Sequence, residues 1–315
     1  MRVAHVVPLL NHSAPTSLQE AQRLAIASQR NAIAHSEEDL EVSLYGAGFA
    51  DEDVIVESVI VRPTLRHTAR DFVPHGIDRR LPLLAEVLDA LPSPQNFDIF
   101  VYTNADIAVQ PQFYRAVAEL VNSGIDAGSI TRRTVPSPPT QVNPLVWASM
   151  QEGDRHAGHD CLFFAAHLLT GVDVGRVTLG AGNVMRPLLA SLFMRAERFE
   201  VFTHLHLTFH IDDEQDWKQD SYTPNYLFNS QETVDALLRL ESVYGRTSLE
   251  SFMVQVGFDP HPGVAMPDDF RAILESSQKM RRSTETFGSR INRATQPWPR
   301  VNRIVHGVAS TISRS

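Results

Sequence analysis

The stretch Phe97-Asp-Ile-Phe-Val-Tyr-Thr103 constrains this chain more than any other. It is apolar almost throughout and reads as a strand. A strand without a polar face is buried on both faces, which requires a sheet covered by helices on both sides. The residues before and after it agree. Arg2–Leu9 reads as an opening strand, and Ser17-Leu-Gln-Glu20 has capping-box spacing at the start of a helix running to Ala34. Leu40–Tyr45 is a second strand, broken by Gly46-Ala47-Gly48, and Val54–Val61 a third. Pro63–Gly76 is a loop, and Asp78–Leu91 carries leucines at helical spacing. A helix follows from Pro111 to about Gly124, then a strand at Asp126–Thr131. Strand and helix alternate through residue 131. The class expected is α/β, a mixed and mostly parallel sheet with helices on both faces.

Beyond residue 131 the pattern loosens. Thr134–Pro144 is a proline-rich loop, Cys161–Ala165 a short apolar run and Met185–Arg195 a helix. Phe199–His210 alternates like one strand, and Gln231–Leu240 is helical. The single cysteine, Cys161, excludes a disulfide framework and reads as a core thiol. With no signal-peptide pattern at the start and no long apolar run, the expected setting is reducing and cytosolic. Charge is uneven. Residues 271–315 hold nine basic residues against two acidic, whereas the first 270 hold 19 basic against 35 acidic. Such an acidic body is no nucleic-acid-binding surface. The division expected is one domain over 1–270 and a basic helical tail over 271–315.

Ligands of open α/β sheets bind beyond the carboxyl ends of the strands, where Asn104-Ala105-Asp106 stands. Its two polar side chains are two residues apart, so in extended chain they point the same way. An amide and a carboxylate suit a hard divalent cation; an Asx turn is the plainer reading. The wider passage Asp98-Ile-Phe-Val-Tyr-Thr-Asn-Ala-Asp-Ile107, with Phe113-Tyr114, resembles the region around the Asp-x-Asp motif of GT-A nucleotide-sugar glycosyltransferases. That resemblance implies a GT-A-like fold. It also implies Mn²⁺ or Mg²⁺ on Asp106, with Asn104 near the ribose or the metal's waters. One feature departs from the pattern: the first Asp is Asn here.

Gly153-Asp-Arg-His-Ala-Gly-His-Asp160 looks like the place where such enzymes carry an acidic residue facing the acceptor. Asp160 is then the candidate general base, and His159 a contact to phosphate or acceptor. The alternative is a polar surface loop, preferred for His156. His204, His206 and His210 share parity and hence one strand face. By the same resemblance His210 completes the metal site; the alternative is a solvent-facing row. Arg132 and Arg133 follow a strand end and either neutralise a diphosphate or form a solvated pair. Thr178–Asn183 is a glycine-rich loop before a helix, a weak phosphate signal. No P-loop or nucleophile-elbow pattern is present.

The function expected is transfer of a sugar from a nucleotide-diphosphate donor to a hydroxyl acceptor. Two rivals stand beside it. One is a zinc hydrolase on His204, His206 and His210 with Asp160 or Asp212. The other is a non-catalytic sugar-nucleotide binder, suggested by Asn104. In the tail, Val301, Ile304, Val305, Val308 and Ile312 fall at helical spacing after Trp298. That stripe either docks on the acidic body or, in the minority reading, touches an anionic membrane surface.

Overall fold

The computed structural model of the chain describes residues 1–73, 75–212 and 219–295, with the side chains of the last helix described through Ser283. Eleven strands are described. They are β1 (Arg2–Pro8), β2 (Glu41–Phe49), β3 (Ile60–Leu65), β4 (Ile99–Thr103), β5 (Ala108–Val109) and β6 (Ala127–Ile130). Then come β7 (Arg133–Val135), β8 (Asp154–Arg155), β9 (Cys161–Ala165), β10 (Phe199–Phe202) and β11 (Thr208–Ile211). The helices are α1 (Thr16–Ala34), α2 (Leu84–Leu88), α3 (Phe113–Asn122), α4 (Pro144–Met150), α5 (Arg186–Arg195), α6 (Thr223–Tyr244), α7 (Arg246–Gln255) and α8 (Asp268–Thr295).

Seven strands form one sheet in the order β10-β6-β9-β4-β1-β2-β3. Every neighbouring pair is parallel except the two made by β9, which runs antiparallel to both β4 and β6. The mixed, mostly parallel sheet expected from the element order is the architecture observed. All five residues of β4 are buried, as its unbroken apolar run requires. Its side chains alternate between two cores. Phe100 and Tyr102 pack with Leu188 of α5, Leu237 of α6, Phe252 of α7 and Phe270 of α8. Ile99 and Val101 pack with Ala32 of α1 and with Phe113 and Val117 of α3. Helices therefore cover both faces. Cys161 is fully buried, and burial pushes its thiol far up, consistent with a core thiol.

Local readings are corrected at several places. The capping box does not form: α1 starts at Thr16 with Pro15 at the cap, so Ser17 already lies inside the helix. The glycines do not break β2, which continues to Phe49. Gly46 is instead a point of close approach, since a Cβ there would lie 2.6 Å from the Leu9 side chain. The third strand is shifted to Ile60–Leu65 and contains Pro63, tolerated because β3 is an edge. The helix expected over Asp78–Leu91 shrinks to Leu84–Leu88, because Pro82 and Leu83 are drawn into bridges with Thr68 and Thr178.

The strand expected over Phe199–His210 is two strands in different sheets. β10 ends the large sheet, while β11 joins a second sheet of order β5-β11-β7-β8. The three histidines consequently share no common strand face. α8 crosses residue 271 and buries Phe270, Ile273 and Leu274 in the core. Trp298 and the stripe over 301–312 lie outside the described residues. Among the described residues no helix is long and apolar enough to cross a membrane.

Candidate active site

The strand order reverses between β1 and β4: the chain builds outward through β2 and β3 on one side, then adds β4 on the other. At such a switch point the loops leaving the two strands part and open a crevice. Here the crevice is a cavity of about 340 Å³, lined by Pro8–Asn11 after β1, Phe49 at the end of β2 and Asn104–Asp106 after β4. Arg132, His156, His159, Asp160, His210 and the loop Leu179–Arg186 complete it.

Strand register explains how distant residues meet. β9 pairs antiparallel with β4, placing Thr103 opposite Cys161. One residue further out, Asn104 faces Asp160: the Asn104 amide donates to the Asp160 carbonyl at 3.1 Å, and Asn104 Nδ2 to Asp160 Oδ1 at 2.9 Å. On its other edge β9 sets Cys161 opposite Ile130 of β6, which brings Arg132 to the same carboxylate, Nη1 to Oδ2 at 3.4 Å. The second sheet supplies the last partner. β11 runs back along β5, pairing Phe209 with Ala108, and so returns His210 to the loop that holds Asp106. His210 Nε2 lies 3.3 Å from Asp106 Oδ2. The other ring nitrogen of His210, Nδ1, is engaged by the Asp212 carbonyl, and the Asp212 carboxylate accepts from the Ser137 amide at 3.0 Å.

Burial raises the Asp106 carboxyl, but the hydrogen bond and charge of His210 and the charge of Arg132 outweigh it and hold the group below its ordinary value. For His210, burial lowers and Asp106 raises, with a net upward shift. Asp160 is raised, first by burial and then by the neighbouring Asp106 charge, against Arg132. Among the described residues Asp160 Oδ2 accepts no hydrogen bond, and His156 Nδ1 stands 3.7 Å from it. His159 differs: its Nδ1 is 2.9 Å from Ser129 Oγ, and burial followed by the charges of Arg186 and Arg281 lowers it to about 3, so it is neutral.

The structure thus brings Asn104, Asp106, Arg132, His159, Asp160 and His210 to one cavity. Arg133 turns away to the His204 carbonyl, and His206 contacts Gln110. Among the described residues no three His, Cys, Asp or Glu side chains are arranged to hold a metal ion, so the three-histidine zinc centre does not form. His156, read from the sequence as part of a polar surface loop, lines the cavity instead, and Arg186 was not singled out by sequence. His156 lies among the 153–160 residues already noted, and Arg186 follows the glycine-rich loop directly.

No protein-family model and no curated protein sequence matches the chain. Solved structures do. The chain is similar to S. aureus TarS residues 1–349, at 13% identity over 81% of this chain and 71% of that one, with a TM-score of 0.47. The same protein in complex with UDP-GlcNAc aligns over 95% of this chain and 93% of that one, at 10% identity and a TM-score of 0.44. M. tuberculosis glucosyl-3-phosphoglycerate synthase, in complex with Mn²⁺, UDP and glucosyl-3-phosphoglycerate, aligns over 76% of this chain and 79% of that one, at 16% identity and a TM-score of 0.38. The chemistry of the site rests on its own side chains.

Proposed function

We propose that the chain is a metal-assisted, GT-A-like glycosyltransferase that moves a sugar from a nucleotide-diphosphate donor to a hydroxyl acceptor. The observation that supports this reading is the Asp106–His210 pair at the strand-order switch point, with Arg132 and Asp160 beside it. A carboxylate oxygen and an imidazole nitrogen side by side form a mixed donor set that suits Mn²⁺, and less closely Mg²⁺, which prefers oxygen. The Asp212 carbonyl at Nδ1 fixes the His210 ring with Nε2 toward Asp106, the outer support that ligating histidines require. Bound there, the ion would stabilise the charge developing on the leaving diphosphate.

The chain's own residues supply the rest. Arg132 adds a fixed positive charge next to both carboxylates. Asp160 orients the acceptor hydroxyl and takes its proton, and its raised affinity for protons improves it as a base near neutral pH. Asn104 holds one Asp160 oxygen, and the other, beside Arg132, accepts no hydrogen bond among the described residues. At the far side of the switch point, Arg80 stacks over the Phe49 ring at 4.0 Å and is held by Asp51 and Glu52, each at 2.8 Å. That planar, polar-edged wall suits a nucleoside.

Calorimetry with UDP and GDP, with and without Mn²⁺, tests the reading. Binding should strengthen with Mn²⁺ and vanish in Asp106→Ala. Failure of every nucleoside diphosphate to bind, with or without metal, overturns it.

A further inference from the structure

The cavity has a second charged end. The loop Gly180–Asn183 leads into α5, whose first residue, Arg186, lines the cavity. Arg186 Nη1 donates to the Val256 carbonyl at 3.3 Å. The next residue, Gly257, has φ +79°, and the place where a side chain would start is filled by the Arg281 guanidinium from α8. Two guanidiniums therefore bracket one backbone step, Val256–Gly257. His159 lines the cavity together with Arg186, and the charges of Arg186 and Arg281 lower it.

Among the described residues neither arginine has a carboxylate within ion-pair distance. Asp259, whose charge acts on Arg186, accepts instead from Gln278 at 2.9 Å. Like charges held together away from bulk water oppose each other. Burial and the Arg281 charge accordingly lower Arg186 to about 10. The contrast with Arg80, Arg176 and Arg239 is plain, because each of those meets a carboxylate.

We propose that Arg186 and Arg281, beside His159, form an oxyanion subsite for a phosphate group carried by the acceptor. Two guanidiniums arriving from different helices suit a tetrahedral oxyanion, which accepts from several directions at once. The assignment to the acceptor rests on the transferase reading above. The donor's diphosphate has its cationic partners at the Asp106, His210 and Arg132 end. His159 immediately precedes Asp160, the residue that faces the acceptor hydroxyl. The acceptor is accordingly a phosphorylated hydroxyl compound.

The probe is inorganic phosphate, titrated into the full chain at low salt, alone and after saturation with UDP and Mn²⁺. Phosphate should bind at one site with the same affinity in both cases. Arg186→Gln and Arg281→Gln should each weaken it about tenfold or more, the scale of a lost charge-assisted hydrogen bond. Arg132→Gln should leave phosphate binding unchanged, and Arg186→Lys should restore part of it, which separates charge from misfolding. Displacement of phosphate by UDP and Mn²⁺ would assign the arginines to the donor and overturn the proposal. Equal phosphate affinity in wild type and both glutamine variants would overturn it as well. If phosphate binds through Arg186 while no nucleoside diphosphate binds, the anion site stands and the donor reading alone falls.

Discussion

The two ends of the cavity manage charge in opposite ways. At one end Arg132 is set against Asp160, and His210 against Asp106, so each cation meets a carboxylate within the chain. At the other, Arg186 donates to the Val256 carbonyl and Arg281 sits against Gly257, with no carboxylate within ion-pair distance of either among the described residues. The histidines report the difference. Burial lowers both, yet Asp106 drives His210 above its ordinary value, while Arg186 and Arg281 push His159 further down, to about 3. A partner, not burial alone, decides where an imidazole proton resides. On the proposals above, one end would take a cation and the other an anion.

The largest effect that tests this contrast is at Asp106. Asp106→Ala should lower donor turnover about a thousandfold, because charge stabilisation at the leaving group is commonly the largest single contribution. Excess Mn²⁺ should not restore it. Turnover within tenfold of wild type would move the metal, and with it the polarity of the cavity, elsewhere.

Asp160→Asn comes next. The amide keeps the shape and accepts from Asn104 but takes no proton. Turnover should fall about a hundredfold or more, the typical contribution of a general base. UDP affinity should not fall, since Arg132 only loses an anionic partner. A parallel loss of UDP affinity would show that Asp160 holds the donor.

The strand-end motif and the alternation of elements were readable because each is local. A buried strand is apolar at every position, and a polar pair after it is visible in one line of sequence. What brings those residues together is not local. Asn104 meets Asp160 only because β9 is the one antiparallel strand of the large sheet, and its register sets Thr103 opposite Cys161. His210 reaches Asp106 through a second sheet whose strands are two to four residues long, too short for any periodicity. The parity argument over 204–210 failed for the same reason: an alternating stretch contained a turn between two strands. Arg186 carried only the weak signal of a glycine-rich loop, and its pairing with Arg281 depends on α6 and α7 folding back between them in sequence.

A smaller effect is expected from pH. His159 and His5 are both lowered to about 3, His5 by burial between Tyr114 and Thr103. The unfolded chain binds a proton at each near the ordinary value of 6.5, so between pH 6.5 and 3 the unfolded state holds more protons than the folded one. Stability therefore rises with pH across that window. At pH 5 each histidine should cost about 2 kcal/mol relative to pH 7.5. His210 opposes this: its raised value contributes stability below 6.5 that is lost as pH climbs through its folded value. Urea unfolding at pH 7.5 and 5 should show the net acid loss, reduced in His5→Gln. In Arg186→Gln the NMR titration of His159 should move upward, because one of the two charges pressing on it is gone. A His159 titration that ignores Arg186 would break the link between imidazole and arginines on which the contrast depends.

The smallest effect concerns Asn104, where the sequence departs from an Asp-x-Asp pattern. The Tyr102 hydroxyl donates to Asn104 Oδ1 at 2.7 Å, and Asn104 Nδ2 donates to Asp160 Oδ1 at 2.9 Å. The side chain therefore acts as both acceptor and donor, and a carboxylate at 104 performs only the first role. In Asn104→Asp two carboxylates would face each other at hydrogen-bond distance. They would share a proton in the way close acid pairs do, pushing Asp160 up further and leaving less of it ionised to take a proton at neutral pH. The cost in stability should be about 1–3 kcal/mol at neutral pH, the range for a buried polar partner lost. Turnover should fall at pH 7 and recover in part at higher pH, while Mn²⁺ affinity changes little. A variant that instead binds Mn²⁺ about tenfold more tightly with turnover unchanged would place residue 104 on the metal rather than on Asp160. On the geometry observed, Asn104 directs its amide to Asp160 and its carbonyl oxygen to Tyr102, and this variant tests whether that bridge or a metal is its role.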